Sequence, residues 1–205
     1  MTLPSVTAAI LAGGANRRMG SDKALLELGD KPMAGHVVER ARQLTDDVLF
    51  VAPEIRPYKQ FGIPCEVDRH TGVGPLTGLE TALLGLRKDC LLLLACDMPF
   101  IQPDVLRILL EAWDPRYQAT AFRIDGVLHP MPALYRRDVL FAVDRLLARR
   151  EYELPKLFSE IRVKEVGEDK LGRLDPELRT FINLNTIEAY RRHALEAQGK
   201  PPLSG

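Results

Sequence analysis

Residues 8–24, AAILAGGANRRMGSDKA, place a pair of glycines and a group of cationic side chains directly after an apolar run. The apolar run ends at Leu11 and Ala12, and the chain then turns at Gly13 and Gly14. The three cations that follow are Arg17, Arg18 and Lys23. A strand that stops at adjacent glycines leaves backbone N–H groups unpaired and open to a ligand, because no Cβ shields them. The residue types therefore predict a local anion site that would suit phosphate oxygens.

The spacing of the glycines excludes two well-defined phosphate-binding patterns. The P-loop pattern G-x-x-x-x-G-K-[ST] fails because Gly20 is followed by Ser21, Asp22 and Lys23. The dinucleotide pattern G-x-G-x-x-G fails because the glycines here are adjacent. On the residues alone, a tight turn with a solvated basic face remains an alternative.

Two carboxylates follow other extended segments of the chain. Asp97 comes shortly after the apolar residues 91–95, where a buried carboxylate would be costly unless it were paired with a cation or a metal ion. The alternative for Asp97 is a turn or helix-capping aspartate before Pro99. Asp68 is a second candidate for a ligand site, and its alternative is a capping or salt-bridge residue beside Arg69.

Unbroken apolar runs predict the elements that position these residues. Strands are predicted at 6–12, 47–52 and 90–96, with a weaker candidate at 63–67. Such runs are typical of parallel sheets that are covered on both faces. The predicted helices are at 33–44, 76–86, 103–113, 137–149 and 186–198. This order predicts an α/β fold: a single-domain, Rossmann-like, open and mostly parallel sheet with helices on both faces.

The pattern changes after residue 100. Residues 117–124 and 127–135 are two extended segments joined by an Asp-Gly turn, and prolines at 130 and 132 predict that the second is not an ordinary central strand. A short helix and a strand are predicted within 154–166, and a last short strand at 181–185. Ligands of open parallel sheets bind beyond the carboxyl ends of the strands. The glycine pair, Asp68 and Asp97 should therefore converge at one edge.

The composition of the 205-residue chain limits the classes of protein to consider. Hydrophobic residues make up 46% and charged residues 27%, which is typical of a folded single domain. Lys+Arg and Asp+Glu are equal at 28 each, so no overall basic field predicts a nucleic-acid partner. The N-terminus lacks a secretory pattern and no apolar run could span a bilayer, which favours a cytoplasmic protein without membrane contact. The three cysteines have no C-x-x-C spacing, which indicates neither a disulfide framework nor a zinc site.

Five segments of the chain resemble one family. LAGGANRRMGSDKA is similar to the signature L-A-G-G-x-S-x-R-M-G-x-D-K of nucleotidyltransferases that act on sugar-1-phosphates and related acceptors, and most closely to the molybdenum cofactor guanylyltransferases (MobA). Asn16 and Arg17 depart mildly from that signature. The other matching segments are GPLTGLETAL (74–83), ACDMP (95–99), LHPMPALY (128–135) and FINLNTIEAY (181–190). The matches extend over about nine tenths of the chain and imply a fold of the nucleotide-diphospho-sugar transferase type.

The resemblance implies a reaction and its participants. GMP would pass from GTP to the terminal phosphate of Mo-molybdopterin, with release of pyrophosphate. Residues 1–100 would form the GTP-binding half and 101–198 the acceptor-binding half, with a frayed tail at 199–205. The resemblance gives no role to nucleic acid, and it is compatible with transient contacts to cofactor-assembly proteins or acceptor molybdoenzymes.

The resemblance also implies which residues form the site. The implied catalytic residues are Asp97, Lys23 and Arg17, and Asp97 would hold Mg²⁺. The implied GTP-binding residues are Leu11, Ala12, Gly13, Gly14, Lys23, Asp68 and Asp97. The implied acceptor-binding residues are Gly74, Pro75, Gly78, His129, Asn183 and Asn185.

Several of these assignments have alternatives. His129 stands beside two prolines and could be a structural hydrogen-bonding residue. Asn183 and Asn185 would point to one face of a strand, or would only cap a helix at Thr186. Where the family often has an Asn, this chain has Val51-Ala52-Pro53, so a base or ribose contact is lost or made by the backbone.

Two other functions remain as alternatives. One is a sibling enzyme, such as a cytidylyltransferase for the same cofactor or another phosphate-acceptor nucleotidyltransferase. The glycine pair disfavours the cytidylyl sibling, because cytidylyl relatives more often have L-A-A-G. The other is a non-catalytic nucleotide-binding regulator. The presence of Lys23, Asp68 and Asp97 together argues against it.

Overall fold

The computed structural model describes residues 3–13, 22–70, 72–185 and 189–190. Its strands are β1 (Val6–Leu11), β2 (Glu27–Leu28), β3 (Lys31–Pro32), β4 (Val48–Ala52), β5 (Cys65–Val67), β6 (Cys90–Ala95), β7 (Ala119–Ile124), β8 (Val127–Tyr135) and β9 (Val163–Gly167). Its helices are α1 (Met33–Arg42), α2 (Pro75–Gly85), α3 (Pro103–Ala112), α4 (Leu140–Ala148) and α5 (Leu154–Leu157). Five features of the sequence lie outside the described residues: Gly14, Arg17, Arg18, the predicted helix 186–198 apart from 189–190, and the tail 199–205.

Seven of the strands form one sheet in the order β5-β4-β1-β6-β8-β7-β9. β1 is central and parallel to both neighbours, and it pairs along its whole length with β6. Both neighbours are the apolar runs that the sequence indicated, because a strand buried on both faces has no polar side to show. The predicted open, mostly parallel α/β sheet is confirmed, and the ends of most predicted elements differ by only a few residues.

Helices cover both faces of this sheet and bury alternate side chains of each central strand. On one face, Ile10 and Leu92 pack in a cluster with residues of α1 and α3. On the other face, Ala9 and Leu93 pack with residues of α2, α4 and α5. None of the helices in the described part of the chain is long and apolar enough to span a membrane.

β8 differs from the expectation for a proline-containing segment, because it lies inside the sheet between β6 and β7. It is antiparallel to both, and its residues 133–135 pair with both neighbours. Pairing with β7 is interrupted between Ala121 and Arg123, and Pro130 and Pro132 have no partner in either ladder. Proline lacks the N–H that a ladder needs, so the strand keeps an internal position by leaving its prolines unpaired.

The prediction of a last strand at 181–185 is wrong. A 3₁₀ helix covers Arg179–Phe181, and the next four residues form neither helix nor strand. The Asp175 carboxylate accepts the N–H groups of Arg179 and Thr180, both at 2.8 Å, and these bonds stabilise the helical turn. The chain leaves that turn beside the sheet, and Asn183 and Asn185 therefore do not share a strand face.

Candidate active site

The carboxyl ends of β1, β4 and β6 open onto a cavity of about 910 Å³. The cavity brings together most residues that the sequence singled out. Those that line it are Leu11, Ala12, Gly13, Lys23, Asp68, Gly74, Pro75, Gly78, Asp97, Asn183 and Asn185. Parallel strands all end at this edge, which explains how residues so far apart in sequence meet.

The turn after β1 is formed tightly against the segment that follows β4. Gly13 has φ of +86°, and a Cβ at this position would lie 2.3 Å from Cδ of Pro53. The Ala12 N–H donates to the carbonyl of Val51 at 2.9 Å. Only glycine can adopt this φ without strain and also leave room for the proline ring.

Lys23 and Asp97 form an ion pair at the edge of the cavity. The Lys23 Nζ lies 3.0 Å from Oδ2 of Asp97, and the two side chains are only 11% and 14% exposed. The same Nζ donates to Oδ1 of Asn185 at 2.8 Å. A lysine ammonium has three N–H groups, and the third contact of Nζ is a long one to the Leu184 carbonyl at 3.5 Å, which a ligand oxygen can replace.

The segment 182–185 closes one side of this ion pair. The Leu184 N–H donates to the backbone carbonyl of Asp97 at 2.9 Å. The Leu184 side chain is fully buried with Leu28 and Met33. This apolar anchor fixes Asn185 beside Lys23, although the segment belongs to no strand.

Asp68 holds the loop that leads into α2. Its Oδ1 accepts the His70 N–H at 3.0 Å, and its Oδ2 accepts the Thr77 hydroxyl at 3.0 Å. The structure describes both Asp68 and Arg69 and gives no ion pair between them, so the alternative of a local salt bridge is wrong. The capping alternative agrees with the observed bonds, and the carboxylate also lines the cavity.

His129 is not among the residues that line the cavity. Its ring lies edge-on to that of Phe181, with centroids 5.1 Å apart. Partial burial lowers the pKa of His129, which favours the neutral imidazole. The structure therefore separates His129 from the other residues that the resemblance assigned to the acceptor.

Residues 8–165 match the model of a family described as the MobA-like NTP transferase domain. The chain belongs to the MobA-like family. A molybdenum cofactor guanylyltransferase of Syntrophotalea carbinolica is 29% identical over 194 residues, which are 94% of this chain and 92% of the relative. A Carboxydothermus hydrogenoformans protein named probable molybdenum cofactor guanylyltransferase is 30% identical over 190 residues, 93% of this chain and 95% of the relative.

A solved structure has the same fold as this MobA-like chain. Molybdopterin-guanine dinucleotide biosynthesis protein A from Archaeoglobus fulgidus superposes with a TM-score of 0.80 at 24% identity, covering 94% of this chain and 99% of that one. The curated relatives and the family model together identify the chain as a nucleotidyltransferase of molybdenum cofactor biosynthesis.

This MobA-like site contains a hydrogen-bonded pair of polar residues, Asp22 and Tyr58, that sequence reasoning missed. Asp22 Oδ1 accepts the Ala24 N–H at 3.0 Å, and its Oδ2 accepts the Tyr58 hydroxyl at 2.5 Å. Burial and the nearby Asp22 carboxylate raise the pKa of Tyr58, so its hydroxyl stays a donor. Asp22 occupies the position of the D in the family signature, so the sequence did indicate that it could belong to the site. No sequence pattern indicated Tyr58, because its partner Asp22 lies 36 residues away in the chain.

The end of β4 and the residues that follow it form one wall of this MobA-like site. Val51, Pro53 and Glu54 all line the cavity. The Val51 carbonyl already accepts the Ala12 N–H, and Pro53 has no N–H that could donate to a ligand. Glu54 is therefore a polar side chain of this wall that the sequence reasoning did not identify.

Proposed function

We propose that the protein transfers GMP from GTP to the terminal phosphate of Mo-molybdopterin and releases pyrophosphate. An oxygen of the acceptor phosphate attacks the α-phosphorus of GTP, and the bond to the bridging oxygen of pyrophosphate breaks. The observation that carries the proposal is the Lys23–Asp97 pair at the cavity edge, opposite the Gly13 turn. The names of the curated relatives support the choice of substrates.

The phosphate end of the cavity would be formed by the Gly13 turn and Lys23. Anions repel each other on approach, and negative charge builds on the leaving pyrophosphate, so the main catalytic need is electrostatic. In place of its long contact to the Leu184 carbonyl, Lys23 would donate one N–H to a phosphate oxygen while Asp97 and Asn185 hold its ammonium in place. We assign Arg17 to the same phosphates on the resemblance alone.

The donor atoms near Lys23 fit Mg²⁺. Asp97 contributes a carboxylate, which is a hard oxygen ligand, and Lys23 contacts only one of its two oxygens, Oδ2. In the part of the chain that the structure describes, no group of three or more His, Cys, Asp or Glu could hold a metal ion. Mg²⁺ commonly binds one or two carboxylates and takes its other ligands from water and substrate phosphates. When bound, Mg²⁺ would neutralise phosphate charge, and the Asp97 carboxylate would hold it.

The acceptor would bind on the side of the cavity formed by both halves of the chain. Gly74, Pro75 and Gly78 come from the first hundred residues, whereas Asn183 and Asn185 come from the second half. A cavity of about 910 Å³ is within the usual range for sites that enclose a small molecule. We assign the acceptor contacts to the two asparagines rather than to His129, because His129 is outside the lining.

Guanine selectivity provides the test. The base would lie against the cavity wall beyond β4, away from the phosphate end, and a wrong base would leave hydrogen-bonding groups there without partners. We expect kcat/KM with GTP to exceed that with CTP by about 100-fold in the presence of molybdopterin and Mg²⁺. Pyrophosphate release and dinucleotide formation would be measured for both nucleotides.

Two outcomes of this experiment would contradict the proposal. Equal or faster turnover with CTP would favour the cytidylyltransferase. Tight binding of GTP with no product under any of these conditions would favour the non-catalytic regulator.

A further inference from the structure

Tyr58 is a buried tyrosine whose hydroxyl points at the phosphate end of the cavity. It lies in a 3₁₀ helix, Arg56–Phe61, and is only 1% exposed. Its ring packs against Phe50 and Phe61, with centroids 4.9 and 6.4 Å away. A phenylalanine would make the same ring contacts, so packing does not explain the hydroxyl.

The hydroxyl of Tyr58 donates to Oδ2 of Asp22 at 2.5 Å. A buried hydroxyl without a partner is costly, and the carboxylate provides a strong, charge-assisted acceptor. Burial and the Asp22 carboxylate raise the pKa of Tyr58, so the hydroxyl stays protonated at neutral pH and can donate this bond.

Asp22 links Tyr58 to the helical turn that begins with Lys23. Its other oxygen, Oδ1, accepts the Ala24 N–H at 3.0 Å and caps the 3₁₀ helix Lys23–Leu25. Both carboxylate oxygens are therefore occupied, and the carboxylate has one fixed orientation. The backbone of Lys23 starts from this fixed cap, and its ammonium ends between Asp97 and Asn185.

We propose that Tyr58 is a positioning residue that acts through Asp22 to hold Lys23 where it meets the nucleotide phosphates. The inference rests on the proposed function, because that function assigns Lys23 to the phosphates. Tyr58 itself need not touch the substrate. It ties the segment after β4 to the segment that carries Lys23, and it does so with a single hydrogen bond.

The experiment compares Tyr58→Phe, Asp22→Ala, the double variant and a matched control. The control is Tyr135→Phe, which removes the hydroxyl of another fully buried tyrosine, one that donates to the Pro130 carbonyl at 2.9 Å. For each protein, the KM, kcat and equilibrium dissociation constant of the nucleotide are measured, together with the melting temperature. The nucleotide is whichever of GTP and CTP the native protein turns over faster, so a CTP preference would contradict the guanylyl assignment without affecting this test.

We expect Tyr58→Phe to weaken nucleotide binding and raise KM about tenfold, as is typical for a lost bond to a charged group. Tyr135→Phe should lower the melting temperature to a similar extent and leave KM unchanged. The double variant should bind the nucleotide no more weakly than Asp22→Ala, because Tyr58 has no effect once Asp22 is gone. Asp22→Asn keeps a cap for the turn but loses the charge, and it should weaken binding in the same direction.

Two results would overturn the inference. One is native KM, kcat and dissociation constant in Tyr58→Phe. The other is a double variant whose losses multiply, since independent effects would mean that Tyr58 does not act through Asp22.

Discussion

Lys23 and Asp97 neutralise each other's charge, so a substitution of either residue also leaves the charge of the other one unpaired. Both side chains are mostly buried, at 11% and 14% exposure, so water screens the pair poorly. Removing one partner leaves the other charge without its counterpart in a site with little water. The pairing alone would fit a purely structural aspartate, and activity has to distinguish the two roles.

Asp97→Asn keeps the shape of the side chain and removes its charge. If Asp97 serves the reaction, turnover should fall by ~10²–10³, as for the loss of one preorganised electrostatic contact. Lys23→Ala should act mainly on nucleotide binding. The two losses should not simply add, because both residues would serve one anionic transition state. Turnover as a function of Mg²⁺ concentration, with thermal melting to check folding, measures these effects.

Asp89→Asn is the control for this substitution. Asp89 accepts hydrogen bonds from Ser5 at 2.8 and 2.7 Å, away from the cavity, so its loss should affect stability and not turnover. A folded Asp97→Asn protein with near-native turnover and unchanged Mg²⁺ dependence would show that Asp97 is only a turn residue.

The segment 175–185 shows where the sequence indicates an element correctly and where it does not. Periodicity and apolar runs predicted the parallel strands and the helices, because those patterns follow from burial along one element. The same reasoning made 181–185 a strand. Its conformation also depends on hydrogen bonds to residues that are distant in sequence. The Asp97 carbonyl accepts the Leu184 N–H, and the Gln102 side chain donates to the Asp175 carboxylate. Local periodicity contains no information about such partners, and the same limit hid the contact between Asp22 and Tyr58.

Asp175 is the residue on which this segment depends. It is 1% exposed and accepts hydrogen bonds from Arg179 N, Thr180 N and Gln102 Nε2. Asp175→Ala would leave these donors without a partner and should cost about 3 kcal/mol in the free energy of unfolding. For a chain of this size, that corresponds to a melting temperature lower by ~6–12 °C.

The same variant should also raise the KM for both substrates, because the segment carries Asn183 and Asn185 and because Asn185 contacts the Lys23 ammonium. Asp169→Ala serves as the control, since that side chain is 75% exposed. A change in stability as small as that of the control would mean that the segment is held mainly by Leu184.

The three cysteine thiols make the stability of the folded molecule depend on pH. Burial raises the pKa of Cys65 to about 11 and that of Cys90 to about 12, and it raises the pKa of Cys96 further. A cysteine thiol in an unfolded chain has a pKa of about 8.5. Above that pH the unfolded chain holds fewer protons than the native protein, so the native state loses stability as the pH rises.

We therefore expect the free energy of unfolding to decline from about pH 8.5 upward. Replacing all three cysteines by alanine should make this decline shallower below about pH 10, where tyrosines begin to contribute. Denaturant unfolding at a series of pH values measures the slope. The Cys96→Ala protein should keep turnover within a few fold, because phosphoryl displacement needs no thiol. An unchanged slope in the triple variant, or complete loss of activity in folded Cys96→Ala, would contradict this account.

The distance in sequence between β1 and β6 has a consequence for how the chain folds during synthesis. Val6 of β1 leaves the ribosome before Cys90, where β6 begins to pair with it, and Cys90 follows 84 residues later. At a synthesis rate of ~5–20 residues per second, that delay is roughly 4–17 s. During this time one edge of an apolar strand has no partner and is open to pairing with other nascent chains. Translation on crowded polysomes should therefore make this protein depend on a chaperone that shields its first strand until β6 emerges.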